Sequence, residues 1–448
     1  MAEQVTTTKE GLAWVVAVDM GLGHQRAVFP LKEIAEESII NMQDPDYLSP
    51  KEGAVWTRTR TMYESASRAG RWPVIGPVIK AIMAKIMAIP AFYPKKDLSK
   101  PTAAVRYLDR QIRKKDMGKR LVEKCAAKPI PLLTSFYAVA IAAEKQGFPH
   151  DIYCIICDSD FNRAWLPVNP QSSKIRYFSP CWRVTDRLKM YGVPESSIFT
   201  TGFPLPKTNL GKQETLSRIR KDVAARLIRL DPTNKVRTMQ RKTIKQYLKK
   251  RPHLKEAESP FTLSFAVGGA GAQTDIGIAI LQSLTASIKK KKIRLNLIAG
   301  VRPEVAHAFT EAIAAAGLQK YQDSVRVVYT ETLPAYFKLF NKIMRTTDIL
   351  WTKPSELSFY TGLGIPVIAA PPIGIHEERN LLWMEHAGAA ILQEDPRYTH
   401  QWIFDYWKNG LFAELAWNGF LKLPKMGTYL IETVLQTGCM PDSPSLLM

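Results

Sequence analysis

Two consecutive α/β units, each built on a parallel sheet with helices on both faces, are what this 448-residue sequence predicts. Three observations lead there. Short apolar runs alternate with helix-like stretches along most of the chain, the alternation restarts at Pro260, and each half carries a glycine turn directly after its first strand. A chain of this length exceeds one ordinary core, and domains of roughly 100–200 residues make two the natural count.

In the first half the strand candidates are Leu12–Val18, Ile130–Thr134, Asp151–Cys157 and Ile175–Phe178. Helix-like segments follow them at Ala27–Ile34, Ala138–Lys145 and Val184–Tyr191, and "TTGFPLP" (Thr200–Pro206) reads as a strand end followed by a stop. In the second half the candidates are Phe261–Val267, Arg294–Ala299, Val325–Tyr329, Ile349–Thr352 and Val367–Ala370. Between them lie helix-like stretches at Thr274–Lys289, Pro303–Ala316, Leu333–Asn341 and Arg379–His386. The expected organisation is an N-terminal unit over 1–208, a basic helical connector over 209–258, a C-terminal unit over 259–430 and a tail over 431–448. Two such units facing each other leave a cleft, and ligands of open parallel sheets bind outside the carboxyl ends of the strands.

Composition narrows the partners. The net charge of +21 points to an anionic partner: a membrane surface, nucleic acid or a phosphorylated substrate. One basic block runs from Gly211 to Glu256 and includes Arg226 and Arg229, where a solvated helix face is the plain alternative. A second, Lys51–Lys124, interleaves its charges with Trp56, Tyr63, Trp72, Phe92 and Tyr93. Within it, Arg58–Lys96 has the make-up of a peripheral membrane contact: Lys80 and Lys85 snorkel while Trp72, Ile79, Ile82, Met83, Ile86 and Met87 bury an apolar face. Its most apolar part, Trp72–Phe92, is broken by Pro73, Pro77 and Pro90 and is no spanning helix. The polar start lacks the build of a signal peptide. The five cysteines lack disulfide-framework or zinc spacing, Cys154 and Cys157 read as core, and no metal site is expected. A reducing cytosol fits this cysteine usage.

Three motifs carry the chemistry. "VDMGLGHQRA" (Val18–Ala27) ends the first strand in Asp19, Gly21, Gly23 and His24; the glycines are expected to reverse the chain and present a titratable pair. "FAVGGAGAQTDIGIAIL" (Phe265–Leu281) places Gly268, Gly269, Ala270, Gly271 and Ala272 between a strand and a helix. There the backbone can approach a ligand closely, and helix N–H groups favour an anion such as a diphosphate. The third motif, Thr352–Ile391, begins "TKPSE" at a strand end and opens a later helix with "HEERN". Glu377 and Asn380 there suit sugar hydroxyls, which need donors and acceptors; Glu377 and Glu378 equally suit a helix dipole.

In order, these motifs resemble those of the GT-B glycosyltransferases, in particular the diacylglycerol glycosyltransferases and the N-acetylglucosaminyltransferase that completes lipid II. "DMGLGH" (Asp19–His24) is similar to their Asp-Thr-Gly-Gly-Gly-His turn, and Gly268–Ala272 to their phosphate turn. Thr352-Lys353-Pro354-Ser355, Gly364-Ile365-Pro366, His376-Glu377-Glu378-Arg379-Asn380 and Gly388-Ala389 resemble their donor-site series. "SDFNRAW", with Asp160, and "TTGFPL" resemble two further landmarks, so the likeness covers most of the chain. Two positions depart from the pattern. Phe359 stands where the family has a ribose-holding Glu, with Glu356 the nearby acid, and His376 stands where it has Gln.

The resemblance implies two Rossmann-like domains facing a cleft. It implies an inverting enzyme that moves a sugar from a nucleotide diphosphate donor, UDP-type, to a lipid-type acceptor. One base must take the acceptor proton, with Asp19 and His24 as candidates. Donor contacts fall on Gly268, Gly269, Ala270, Gly271, Ala272, Thr352, Lys353, Ser355, Glu356, His376, Glu377 and Asn380, with Gly21, Gly23 and Asp160 on the acceptor side. No cofactor beyond the nucleotide sugar is implied, and the partners are that donor, the lipid and an anionic membrane in preference to nucleic acid. The expected place is peripheral, on the cytoplasmic face. Two other classes fit the same outline: a nucleotide-sugar 2-epimerase, or a catalytically degenerate protein that binds membranes or nucleic acid.

Overall fold

The computed structural model describes residues 11–56, 61, 88–248, 259–268, 271 and 273–442. It holds two six-stranded sheets, every pairing parallel. The fold is two Rossmann-like α/β units. One unit comprises the chain to Cys157, Phe161–Pro204 and Gly427–Pro444; the other comprises Asp158–Asp160 and Leu205–Met426.

The first sheet contains β1 (Trp14–Ala17), β2 (Ile40–Asn41), β3 (Leu132–Thr134), β4 (Ile152–Ile155), β5 (Ile175–Ser179) and β6 (Ile198–Thr200). Their spatial order is β2-β1-β3-β4-β5-β6. The second contains β7 (Thr262–Ala266), β8 (Arg294–Gly300), β9 (Val325–Tyr329), β10 (Ile349–Thr352), β11 (Val367–Ala369) and β12 (Ala390–Leu392), in the order β12-β11-β10-β7-β8-β9. β2 and β12, two and three residues long, have no counterpart among the sequence-predicted strands.

Inner strands of a parallel sheet are covered on both faces and so need unbroken apolar runs. β4, β7 and β10 are buried at every residue. The edge strand β9 instead leaves Arg326 and Tyr329 outward. The strand order reverses once in each sheet, between β1 and β3 in the first and between β7 and β10 in the second. At such a switch point the crossovers leave to opposite faces and open a crevice at the strands' carboxyl ends.

Two expectations about organisation are corrected. The helix Ser217–Leu230, expected in a connector, belongs to the second unit and buries Ile219, Val223, Leu227 and Leu230 along one stripe. Two of its arginines serve the interior. Arg226 donates to the carbonyls of Thr347, Leu363 and Gly364 at 2.9–3.1 Å, and Arg229 grips Asp348 with Nε and Nη2. The chain from 431 is not tail up to Thr437: the helix Gly427–Thr437 buries Ile431 and Val434 in the first unit. A Cβ at Gly427 would fall 2.3 Å from the carbonyl oxygen of Phe203, so only glycine lets that helix dock.

Most of the expected membrane segment Arg58–Lys96, including Trp72, Ile79, Lys80 and Lys85, lies outside the described residues. Among the described residues no helix is long and apolar enough to cross a membrane.

Candidate functional sites at the two switch points

In the first unit β1 runs into Asp19, and the chain turns at Gly21 into the short helix Leu22–Val28. Gly21 has φ +116°, a backbone that side chains rarely adopt. Gly23 does not share that role: it is an ordinary helical residue, so one glycine makes the turn, not two. Asp19 is half-buried and its Oδ1 accepts from Gln25 Nε2 at 3.3 Å.

His24 is half-buried on that helix, and its Nδ1 lies 2.8 Å from the carbonyl oxygen of Ser135. A carbonyl only accepts, so Nδ1 carries the proton and Nε2 is the basic nitrogen. Ser135 returns a bond from its hydroxyl to the His24 carbonyl at 2.7 Å. Ser135 follows β3, so this pair of bonds ties the two loops that flank the first switch point. The Cys157 thiol lies 3.8 Å from both His24 Nδ1 and the Ser135 carbonyl.

Around the imidazole is a closed circuit of rings. His24 meets Phe136 edge-on at 4.8 Å, Phe136 meets Tyr137 at 4.9 Å, Tyr137 meets Trp165 at 5.1 Å, and Trp165 returns to His24 at 5.8 Å. Phe136 and Trp165 are buried beneath, while His24 and Tyr137 are half-exposed. Burial pushes the Tyr137 phenol up from its usual range. Behind Phe136, Trp56 packs at 5.5 Å and donates to Glu52, whose carboxyl is pushed up by burial. Sequence reasoning missed Ser135, Phe136 and Tyr137, and it met Trp165 only as the end of the "SDFNRAW" motif. "SFY" at the end of a candidate strand was the available signal, but nothing local says that this strand lies beside β1.

In the second unit Gly268 follows β7 and Lys353 follows β10, and these paired strands flank the second switch point. Gly269, Ala270 and Ala272 lie outside the described residues. Gly271 has φ +65°, donates its N–H to the Gly268 carbonyl at 2.8 Å, and precedes the helix Thr274–Lys289. Lys353 Nζ pairs with Glu377 Oε1 at 2.7 Å, and Glu377 Oε2 accepts from the Ile373 N–H at 2.8 Å. His376 Nε2 stands 4.0 Å from Glu377 Oε1.

Other expected donor residues are turned to the protein. Thr352 is buried and donates to the Ala266 carbonyl. Ser355, half-buried, precedes the 3-10 helix Glu356–Leu363, and Glu356 is buried at its start. Phe359 is core and packs on Trp383 at 5.2 Å. Asn380 is fully buried. Its Oδ1 accepts from Ser159 N–H at 2.8 Å, and its Nδ2 donates to Asp158 Oδ1 and the Pro354 carbonyl. That amide holds the Asp158–Asp160 stretch, where Asp160 is itself fully buried. Among the described residues no group of three His, Cys, Asp or Glu is placed to hold a metal ion.

A family described as a domain of unknown function (DUF6938) matches over residues 240–332 and 309–391, inside the second unit. No curated protein matches the chain by sequence. Among solved structures, an S. aureus MnaA–UDP co-structure is similar at 11% identity and TM-score 0.45, over 77% of this chain and 86% of that one. UDP-GlcNAc 2-epimerase from Neisseria meningitidis bound to UDP-GlcNAc is similar at 13% identity and TM-score 0.43, over 76% and 84%. MurG of Acinetobacter baumannii is similar at 13% identity and TM-score 0.43, over 84% of this chain and 95% of that one.

Proposed function

We propose that this chain is an inverting glycosyltransferase that moves a sugar from a nucleoside diphosphate donor to the hydroxyl of a lipid-type acceptor at a membrane surface. One observation carries the reading. The chemistry-bearing motifs gather at the strand-order reversal of each sheet: Asp19 and His24 with Ser135 at β1/β3, and Gly268 with Lys353 at β7/β10. Those are the places where open parallel sheets bind ligands.

In this reading His24 Nε2 takes the acceptor proton as the acceptor oxygen bonds to the anomeric carbon and the bond to the diphosphate breaks. The Ser135 carbonyl, bonded to Nδ1–H, holds the ring and stabilises the imidazolium that forms. Asp19 is the second candidate base. The diphosphate leaves carrying negative charge towards Gly268 and Gly271, the start of the helix Thr274–Lys289 and the Lys353 ammonium. A membrane contact is supported in the first unit by Tyr93 and Trp182, 71% and 73% exposed, with Arg183 lying over the Phe92 ring at 4.4 Å.

A panel of nucleotide sugars screened by thermal stabilisation, followed by labelled-sugar transfer to lipid acceptors in anionic vesicles, tests the reading. Stabilisation by one donor and label in the lipid fraction are expected. No donor stabilising the fold sinks it. Conversion of a UDP-sugar to its 2-epimer without an acceptor would replace it with the epimerase reading.

A further inference from the structure

The Lys353 side chain has an unusual bed. A Cβ built on Gly268 would come within 2.5 Å of Lys353 Cε, 2.7 Å of Cδ and 3.4 Å of Nζ. The lysine stem therefore lies flat on the glycine Cα. Gly268 is not among the left-handed glycines, so what it supplies here is room for this stem and not a turn conformation.

The far end of the lysine is held as firmly. Glu377 is 3% exposed in its side chain, sits in the first turn of the helix Ile375–Ala387, and is fixed through Oε2 by the Ile373 N–H. A buried carboxylate that loses its cation is left as an uncompensated charge, so Glu377 does not readily release Lys353. Glu377 fixes the direction of one of the ammonium's N–H donors. The lysine is thus oriented as well as neutralised.

We propose that Glu377 is a positioning residue that holds the Lys353 ammonium over the turn at Gly268, where it meets the diphosphate of the donor. This rests on the donor reading above and changes the role of Glu377 within it, from a sugar contact to the residue that aims the phosphate-binding cation. Gly268 is the third member, because any side chain there displaces the lysine.

The test is calorimetric titration of the full chain with UDP and UMP, repeated with GDP and GMP. The variants are Glu377→Gln, Gly268→Ala, Lys353→Met and the double variant Gly268→Ala with Lys353→Met. Wild type is expected to prefer the diphosphate. Glu377→Gln and Gly268→Ala should each weaken diphosphate binding roughly 10- to 100-fold, the range of one charge-assisted hydrogen bond, with monophosphate binding unchanged. Adding Gly268→Ala to Lys353→Met should cost nothing further.

The inference fails if Glu377→Gln binds diphosphate like wild type, or if both ligands weaken equally. It fails also if Gly268→Ala still weakens binding without the lysine, since the glycine then serves the ligand's approach and not Lys353. If Glu377→Gln does not fold, Gly268→Ala decides, because the three atoms nearest its new Cβ all belong to the flexible Lys353 side chain. A wild type that binds neither diphosphate overturns the donor reading, and this inference with it.

Discussion

The two switch points of this molecule are built from opposite materials. In the first unit a single imidazole sits in a circuit of aromatic rings, its tautomer set by a neutral carbonyl. In the second an ammonium and a carboxylate are locked together beside a glycine turn. An apolar surround with one basic nitrogen suits proton removal from a neutral hydroxyl. A charged, ion-paired surround suits a diphosphate, which needs cations and N–H donors. On the proposed function, one topological device would support two chemistries, because the topology sets where the loops converge and the side chains decide what they do.

The sharpest way to break the contrast is at His24. His24→Ala should lower turnover about 100- to 10,000-fold, the usual worth of a general base, with donor affinity unchanged by calorimetry. Wild-type turnover would reduce the first switch point to a turn. Asp19→Asn should cut turnover less, because His24 already has its tautomer set without it. A larger loss in Asp19→Asn would exchange the two roles.

Salt should separate the units next. Donor affinity should fall as ionic strength rises, since it depends on charge, whereas turnover at saturating donor and saturating soluble acceptor, away from any membrane, should stay level. Equal salt sensitivity of both would erase the distinction.

Phe359→Glu tests whether the ribose-holding Glu of the GT-B glycosyltransferases, whose motifs this sequence resembles, can act at this position. Phe359 is core against Trp383, so the new carboxylate would be buried and unpaired. A lower Tm with no gain in nucleotide affinity is expected; tighter binding would show that the position reaches the ligand.

The smallest effects concern the pH profile of stability, where the units tilt in opposite directions. Glu52 in the first unit has a carboxyl raised above 4.5 by burial, so the native state holds that proton more tightly than the unfolded chain. Stability therefore falls as pH rises through the window above 4.5. Glu52→Gln should raise Tm at neutral pH, with the difference vanishing below 4.5. Lys425 in the second unit is pushed down to about 7 by burial, from 10.5. Between those values the unfolded chain binds the extra proton, so stability rises with pH across that window. Lys425→Met should flatten the rise; thermal melts from pH 4 to 10 read both.

Much of the architecture was legible because buried parallel strands announce themselves. β4, β7 and β10 are mostly apolar and buried at every residue, and each coincides with a candidate strand. β2 and β12 are edge strands of their sheets, only partly buried, and neither stands out as a buried apolar run. Residues 217–230 show the opposite error: their arginines read as a solvated or anion-binding face, yet Arg226 and Arg229 are spent on interior carbonyls and Asp348. Charge in a sequence does not say whether a partner waits inside the fold.

The sequence alone determined which residue types stand at the strand ends: Asp19 and His24 after β1, a glycine turn after β7, Lys353 after β10. Local pattern suffices there, because a strand must stop where its apolar run stops. Only the tertiary structure decided which strand ends are neighbours. Ser135 reaches His24 because β3 pairs with β1, and Lys353 lies on Gly268 because β10 pairs with β7. It also decided that Asn380 and Phe359 face inward. Strand order is a long-range choice among pairings that short apolar strands permit almost equally, and packing of the whole sheet, not any local spacing, makes it.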